Sequence, residues 1–167
     1  MFHIFGFYKF KKISGLKRLK LTFQHKLKKN YIRGTIIFSK EGINGTISGK
    51  KNNIRKIVRN IKNICKIKKF DSENNSISNF HPFHKGKIKI KKEVVPIGIN
   101  VLPTEKLNNA IDPKKWNLLL REKGVQIIDA RKSFEYDVGT FQGAQNPKTN
   151  NFRDFPKFLN KLKPSHI

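Results

Sequence analysis

Residues 34–50, Gly-Thr-Ile-Ile-Phe-Ser-Lys-Glu-Gly-Ile-Asn-Gly-Thr-Ile-Ser-Gly-Lys, leave this chain little freedom. The β-branched and aromatic run Thr35–Phe38 favours a strand, and Thr46–Ser48 gives a shorter second one. Gly42 and the Asn44-Gly45 pair lie between them. Both residue types tolerate positive φ, which a tight reversal needs. The stretch predicts a β-hairpin with Glu41, Gly42, Asn44 and Gly45 at its tip. Such a tip is either a plain connection or a point that approaches a ligand or another domain.

Helical patterns flank the hairpin. Leu16, Leu19, Phe23 and Leu27 form one apolar stripe, with Ser14 placed as an N-cap. Ile54, Ile57, Val58, Ile61, Ile64 and Cys65 repeat that spacing and predict a second helix over roughly 52–67. Residues 2–10 read as an opening strand. Residues 71–80 are polar, rich in Ser and Asn, and read as a loop. Residues 87–97 alternate apolar and basic, the period of a half-buried strand. The order β-α-β-β-α-β predicts an α+β, ferredoxin-like domain over 1–98, an antiparallel sheet with two helices on one face. Its open side then shows the lysines of the last strand, as an RNA platform or as a solvated face.

Charge bears on that choice. The formal net charge is +26 over 167 residues, a field that attracts polyanions, RNA or DNA first. The excess of Lys, Asn and Ile is also what drift in an AT-rich coding sequence produces. The single cysteine, Cys65, excludes an intrachain disulfide and so leaves no disulfide partner, which fits a reducing, cytoplasmic setting. Cys65 lies on the apolar stripe, where a buried thiol is inert. No apolar run reaches the roughly 18 residues of a membrane span, and the aromatic start lacks the features of a secretion signal. No membrane is therefore expected among the partners. His81-Pro-Phe-His84 offers half a metal site at most, and Pro82 spoils helical geometry, so no metal is expected.

Residues 99–111 read as a linker, and 112–167 as a second region. Asp112 can cap a helix that Pro113 opens, with Trp116, Leu119 and Leu120 on its apolar side and Gly124 ending it. Val125–Asp129 suits a strand buried on both faces of a parallel sheet. Asp129-Ala-Arg131 then falls at its C-terminal end, where open α/β sheets place ligands. Residues 154–162 predict a short helix with Phe155, Phe158, Leu159 and Leu162 inward.

Two stretches, Gly34–Thr46 and Val125–Pro147, carry a resemblance, supported by Lys91–Val95, Trp116-Asn117 and Asn151–Pro156. With them the chain closely resembles the bacterial tRNA uridine hydroxylases, which are rhodanese-domain proteins. The resemblance implies oxygen-dependent 5-hydroxylation of the wobble uridine of tRNA. Molecular oxygen would be the co-substrate and tRNA the partner, with no other cofactor evident. It implies a ferredoxin-like, acylphosphatase-like domain followed by a rhodanese-like α/β domain. Asp129, Arg131 and Glu135 would brace the active loop. The family's reactive cysteine would lie beyond Ile167, so no catalytic residue is expected in this chain, and the second domain is expected to be incomplete and inactive alone. Its residues 125–160 are expected to be poorly ordered alone or packed on the first domain. Lys87, Lys89, Lys91 and Lys92, with Lys9, Lys11, Lys12 and Arg33 as weaker candidates, would contact tRNA. Two other readings stay open: a non-catalytic, basic RNA-binding remnant, and a rhodanese-type sulfur carrier, which the missing cysteine loop argues against.

Overall fold

The computed structural model describes residues 1–95, 98 and 111–162. Its contacts divide the chain into two units, Met1–Val95 and Pro96–Ile167. The predicted linker 99–111 lies outside the described residues except for Ile111.

In the first unit, strand β1 (Phe2–Phe10) leads into helix α1 (Leu16–Lys29). Strands β2 (Arg33–Ser39) and β3 (Gly42–Gly49) form the hairpin. Helix α2 (Lys51–Ile64), strand β4 (Ser72–Ser78) and strand β5 (Gly86–Ile90) follow. The sheet order is β4-β1-β3-β2-β5. β4-β1-β3-β2 pair antiparallel throughout, and β5 adds in parallel to β2. The βαββαβ order is thus present, but its closing strand is 72–78 rather than 87–97.

This corrects the reading of 71–80 as a loop. Ser-Glu-Asn-Asn-Ser-Ile-Ser carries no strand pattern because it is an exposed edge, held by main-chain pairing to β1 from Phe2↔Ser78 to Tyr8↔Ser72. Periodicity reports burial, and here there is almost none to report. The strand expected at 87–97 ends at Ile90, and residues 96 and 97 lie outside the described residues.

Side-chain phase separates the two faces of the sheet. Phe5, Phe7, Ile36, Phe38, Ile43, Ile47 and Ile88 point to the helices and are buried. Leu19, Phe23 and Leu27 of α1 and Ile54, Ile57 and Ile61 of α2 meet them, as their stripes predict. Burying each such side chain stabilises the fold by about 1.5–3 kcal/mol before chain entropy is counted. The ends of the helices differ from expectation. Ser14 does not cap α1; Gly15 does, in the left-handed region at φ 67°. α2 stops at Ile64, after which the Ile67 N–H donates to the Lys62 carbonyl at 2.8 Å. Ile67 continued the helical pattern only because it folds back into the same core.

The hairpin turn is also shifted. Ser39 pairs with Gly42, so Lys40-Glu41 is the turn and Asn44-Gly45 lies inside β3. The glycines serve close packing rather than reversal. A Cβ on Gly45 would sit 2.9 Å from the Phe7 ring and 3.0 Å from the Thr35 carbonyl. At Gly34 the backbone needs φ 115°, and a Cβ would lie 2.2 Å from the Thr46 carbonyl oxygen.

The second unit contains helices α3 (Pro113–Leu119) and α4 (Ser133–Val138), a 3-10 turn (Phe152–Asp154) and helix α5 (Phe155–Leu159). Asp112 caps α3 as expected, its carboxylate accepting from the Lys114 and Lys115 amides. The strand expected at 125–129 reduces to one parallel bridge, Ile128↔Gln145. Val125 is 41% exposed, and no other strand is described beside the bridge, so the run is not buried on both faces. Leu159 is likewise 43% exposed rather than inward, and Phe155, Phe158 and Leu162 are only half-buried.

Candidate functional site

The face of the sheet turned away from the helices is the candidate nucleic-acid interface. Pairing fixes what it shows. Tyr8 lies opposite Asn44, Asn44 opposite Ile37, and Ile37 opposite Lys89. The next row is Gly6, Thr46, Thr35 and Lys87; in the one after it Ile4 and Arg33 flank Ser48, which is fully buried beneath His81. Lys87 and Lys89 are exposed and alternate with the buried Ile88, so the predicted strand phase is correct over these residues. Lys91 continues the line, its N–H donating to the Phe38 carbonyl at 3.0 Å.

Of the other predicted cations only Arg33 lies on this face. Lys9 is in the opposite phase and pairs with Asp71 at 2.5 Å. Lys11 donates to the Lys66 carbonyl, while Lys12 and Lys92 are exposed elsewhere on the chain. Arg33 is on the open face, where its guanidinium donates to the Phe83 carbonyl at 3.4 Å. Glu41 has a partner within the first unit. It accepts the Val94 N–H at 2.5 Å and so ties the hairpin turn to the chain after β5. Gly42 leaves the room that Val94 fills, since a Cβ there would lie 3.1 Å from the Val94 Cγ2.

Sequence reasoning missed Tyr8, Thr35 and Thr46 on this face. Both phases of β1 carry aromatics, so alternation alone could not say which one looks outward; only the pairing does. The His81 Nδ1 sits 3.0 Å from the Ser48 Oγ, and its ring lies 4.4 Å from Phe2. Burial holds its pKa below the ordinary value. Cys65 is buried at the end of α2, and that burial pushes its thiol up to about 11. It keeps its proton at neutral pH and is no nucleophile.

A second constellation lies in the second unit. The Arg131 guanidinium grips Asp129 through Nε at 2.9 Å and Nη2 at 2.5 Å. The Arg131 N–H and the Thr140 hydroxyl donate to the same carboxylate at 3.0 and 2.8 Å. The Arg131 side chain holds Asp129 well below the usual carboxylate range, with the other donors adding to it. Arg131 also donates to the Gly139 carbonyl, and Asn146 donates to the Asp129 and Arg131 carbonyls. The loops before and after α4 are thereby tied together. The Glu135 carboxylate accepts the Lys132 N–H at 3.3 Å and caps α4, while its charge helps keep Arg131 protonated. A groove of about 570 Å³ runs along the pair, walled by Trp116 and Phe141, whose rings meet edge-on at 5.2 Å. With its carboxylate and guanidinium locked to each other, the cluster fixes the shape of the loops around α4. Among the described residues, no three of His, Cys, Asp or Glu gather as a metal would require, and no helix is long and apolar enough to cross a membrane.

The chain can now be set beside known proteins. The tRNA uridine(34) hydroxylase of Pelagibacter ubique (strain HTCC1062) is 57% identical over 163 residues, covering 98% of this chain and 54% of that protein. The protein of the same name from Acinetobacter baumannii (strain AYE) is 37% identical over 161 residues, covering 95% of this chain and 50% of its own length. The chain thus spans about half the length of the curated relatives it matches. Among solved structures, the acylphosphatase from Bacillus subtilis aligns with a TM-score of 0.39 at 16% identity, over 53% of this chain and 98% of that one. The model of the UPF0176 acylphosphatase-like domain matches residues 2–94, the whole sheet with both covering helices, and the chain belongs to that family.

Proposed function

We infer that this chain supplies the tRNA-holding part of a tRNA uridine hydroxylase. The open face of its first unit grips tRNA, and the Asp129–Arg131 network braces a rhodanese-type region beside the reacting base. The observation that carries this reading is the 57% identity to the Pelagibacter ubique protein, which runs through both units. The net charge of +26 supports it, because a field of that size gathers tRNA at near diffusion-limited rates. In this reading the reaction consumes molecular oxygen and yields 5-hydroxyuridine in the cytoplasm. The buried, protonated Cys65 takes no part in it. That thiol is equally unfit to carry sulfur, so nothing favours a sulfur carrier. Nor does anything favour binding by charge alone, since the identity extends past the basic sheet into the Asp129 loop.

A chimera tests the reading. The matched residues of the Pelagibacter ubique hydroxylase are replaced by this chain, and the product is expressed in cells stripped of their own wobble-uridine hydroxylases. Mass spectrometry of total tRNA should then show 5-hydroxyuridine at a level comparable to that made by the parent. A folded chimera that leaves uridine unmodified where the parent modifies it would overturn the assignment.

A further inference from the structure

We propose that the open face of the sheet binds unpaired nucleotides, stacking a base on Tyr8 and reading its edge with Asn44 while Lys87 and Lys89 hold the phosphates. The proposal rests on the tRNA reading above and narrows it to a single-stranded part of the tRNA, such as the loop that carries the wobble base.

Register builds the site. Tyr8, Asn44, Ile37 and Lys89 stand in one row across four strands. At about 4.8 Å between neighbouring strands, the row runs roughly 14 Å from ring to lysine. Every member projects from the face opposite the buried Phe5, Phe7, Ile36 and Phe38. Tyr8 is 38% exposed, and its ring is steadied by an edge-on contact with Phe10 at 6.0 Å. Beside it Gly6 leaves a shallow floor, because a Cβ there would make only ordinary contacts, at 3.7 Å to the Thr46 Oγ1 and beyond. Among the described residues nothing hydrogen-bonds the Asn44 carboxamide or the Tyr8 hydroxyl, so both remain available to a ligand.

Charge selects the occupant. The acids nearest this face are turned to other work. Asp71 holds Lys9 and the Phe10 N–H. Glu73 pairs across from Phe7, on the helix side, with Lys62 at 3.4 Å. Glu41 holds Val94. What is left is an aromatic and amide floor with cations along one edge and no carboxylate at any strand position of this face. A base offers a π-face to the ring and a phosphate to the lysines, and only unpaired nucleotides can splay both at once. A duplex hides its base faces and meets the edge charge alone.

The test compares a short oligouridine with an RNA duplex of equal length, each titrated into the full chain at several salt concentrations. Tyr8→Ala should weaken oligouridine binding about tenfold, and Tyr8→Phe should restore it. Duplex binding should be unmoved by either. Lys89→Ala should weaken both ligands and lower the salt slope by about one. Far-UV circular dichroism controls for folding of each variant. An unchanged oligouridine affinity in Tyr8→Ala, or an equal loss for both RNAs, would overturn the proposal. So would a dimer in sedimentation that Tyr8→Ala dissociates, which would give the face to a second copy of the chain. The hydroxylase reading stands or falls separately. A Tyr8 effect alongside an inactive chimera would sink that reading and keep this one, and an active chimera without a Tyr8 effect would do the reverse.

Discussion

The two units of this chain keep their shape by different means. Met1–Val95 surrounds a dry core in which Phe23, Phe38, Ile36, Ile57 and Ile61 are completely buried. Pro96–Ile167 buries only Ala144 among its described apolar residues, and its order is a lattice of hydrogen bonds around Asp129, Arg131 and Asn146. Burial is non-directional and adds up over many contacts, so the first unit tolerates polar variation on its surface. A hydrogen-bonded loop depends on a few groups in fixed places and on their ionisation. The first arrangement suits a platform, and the second suits a loop whose shape answers to a handful of residues.

Removing volume exposes the contrast most sharply. Phe23→Ala should lower the unfolding free energy of the first unit by about 3–5 kcal/mol in urea titrations followed by circular dichroism. Leu159→Ala in the second unit, at a side chain already 43% exposed, should stay within about 0.5 kcal/mol of the parent. Similar costs at the two sites would erase the distinction.

Backbone geometry gives the next effect. Gly34→Ala forces a side chain into φ 115° with a carbonyl 2.2 Å away, so a cost of about 1–3 kcal/mol is expected from the conformation alone. Gly124→Ala also meets a positive φ, 89°, but open space, and should cost less. Thermal melts of the two variants, ranked against each other, check this.

The smallest effect is titration of the Asp129 network. The folded-state pKa of Asp129 is depressed below its ordinary 3.8, so its contribution is fully present above that value. It is lost as pH falls through the folded value. The protection of amides over 125–146, measured against their intrinsic exchange rates at each pH, should therefore fall as the solution is acidified below about pH 4. Asp129→Asn should already show low protection at neutral pH and lose less of it in acid. An acid response that Asp129→Asn leaves intact would assign the order of this unit to something other than the carboxylate.

Legibility in the sequence followed burial. The stripes of α1 and α2 were plain because Leu19, Phe23, Leu27, Ile54, Ile57 and Ile61 all meet one core. Strand β4 was invisible because Ser72–Ser78 meets none. The Gly and Asn of β3 resemble turn chemistry but serve close approach between strands, a demand that only the partner strand reveals. Asp112-Pro113 was readable because a cap acts on its own amides. Of the site, the Lys87/Lys89 alternation could be seen and Asp129-Ala-Arg131 stood out as a motif. Tyr8 could not be placed, since Phe5 and Phe7 on the other face look the same in one dimension. Glu135 was expected beside Asp129 and Arg131 from the family resemblance; its carboxylate accepts the Lys132 N–H at the start of α4, and its charge also acts on Arg131.

Strand β4 has one more consequence. It leaves a row of backbone donors and acceptors at the rim of the sheet, the usual template for growth into fibrils. Its only apolar side chain is Ile77. A second chain aligning there would gain main-chain pairing and bury almost no oily surface. It would also bring another +26 alongside the first. This rim is therefore guarded by its own poverty, and two copies should not stack edge to edge through β4 for want of anything to zip together there.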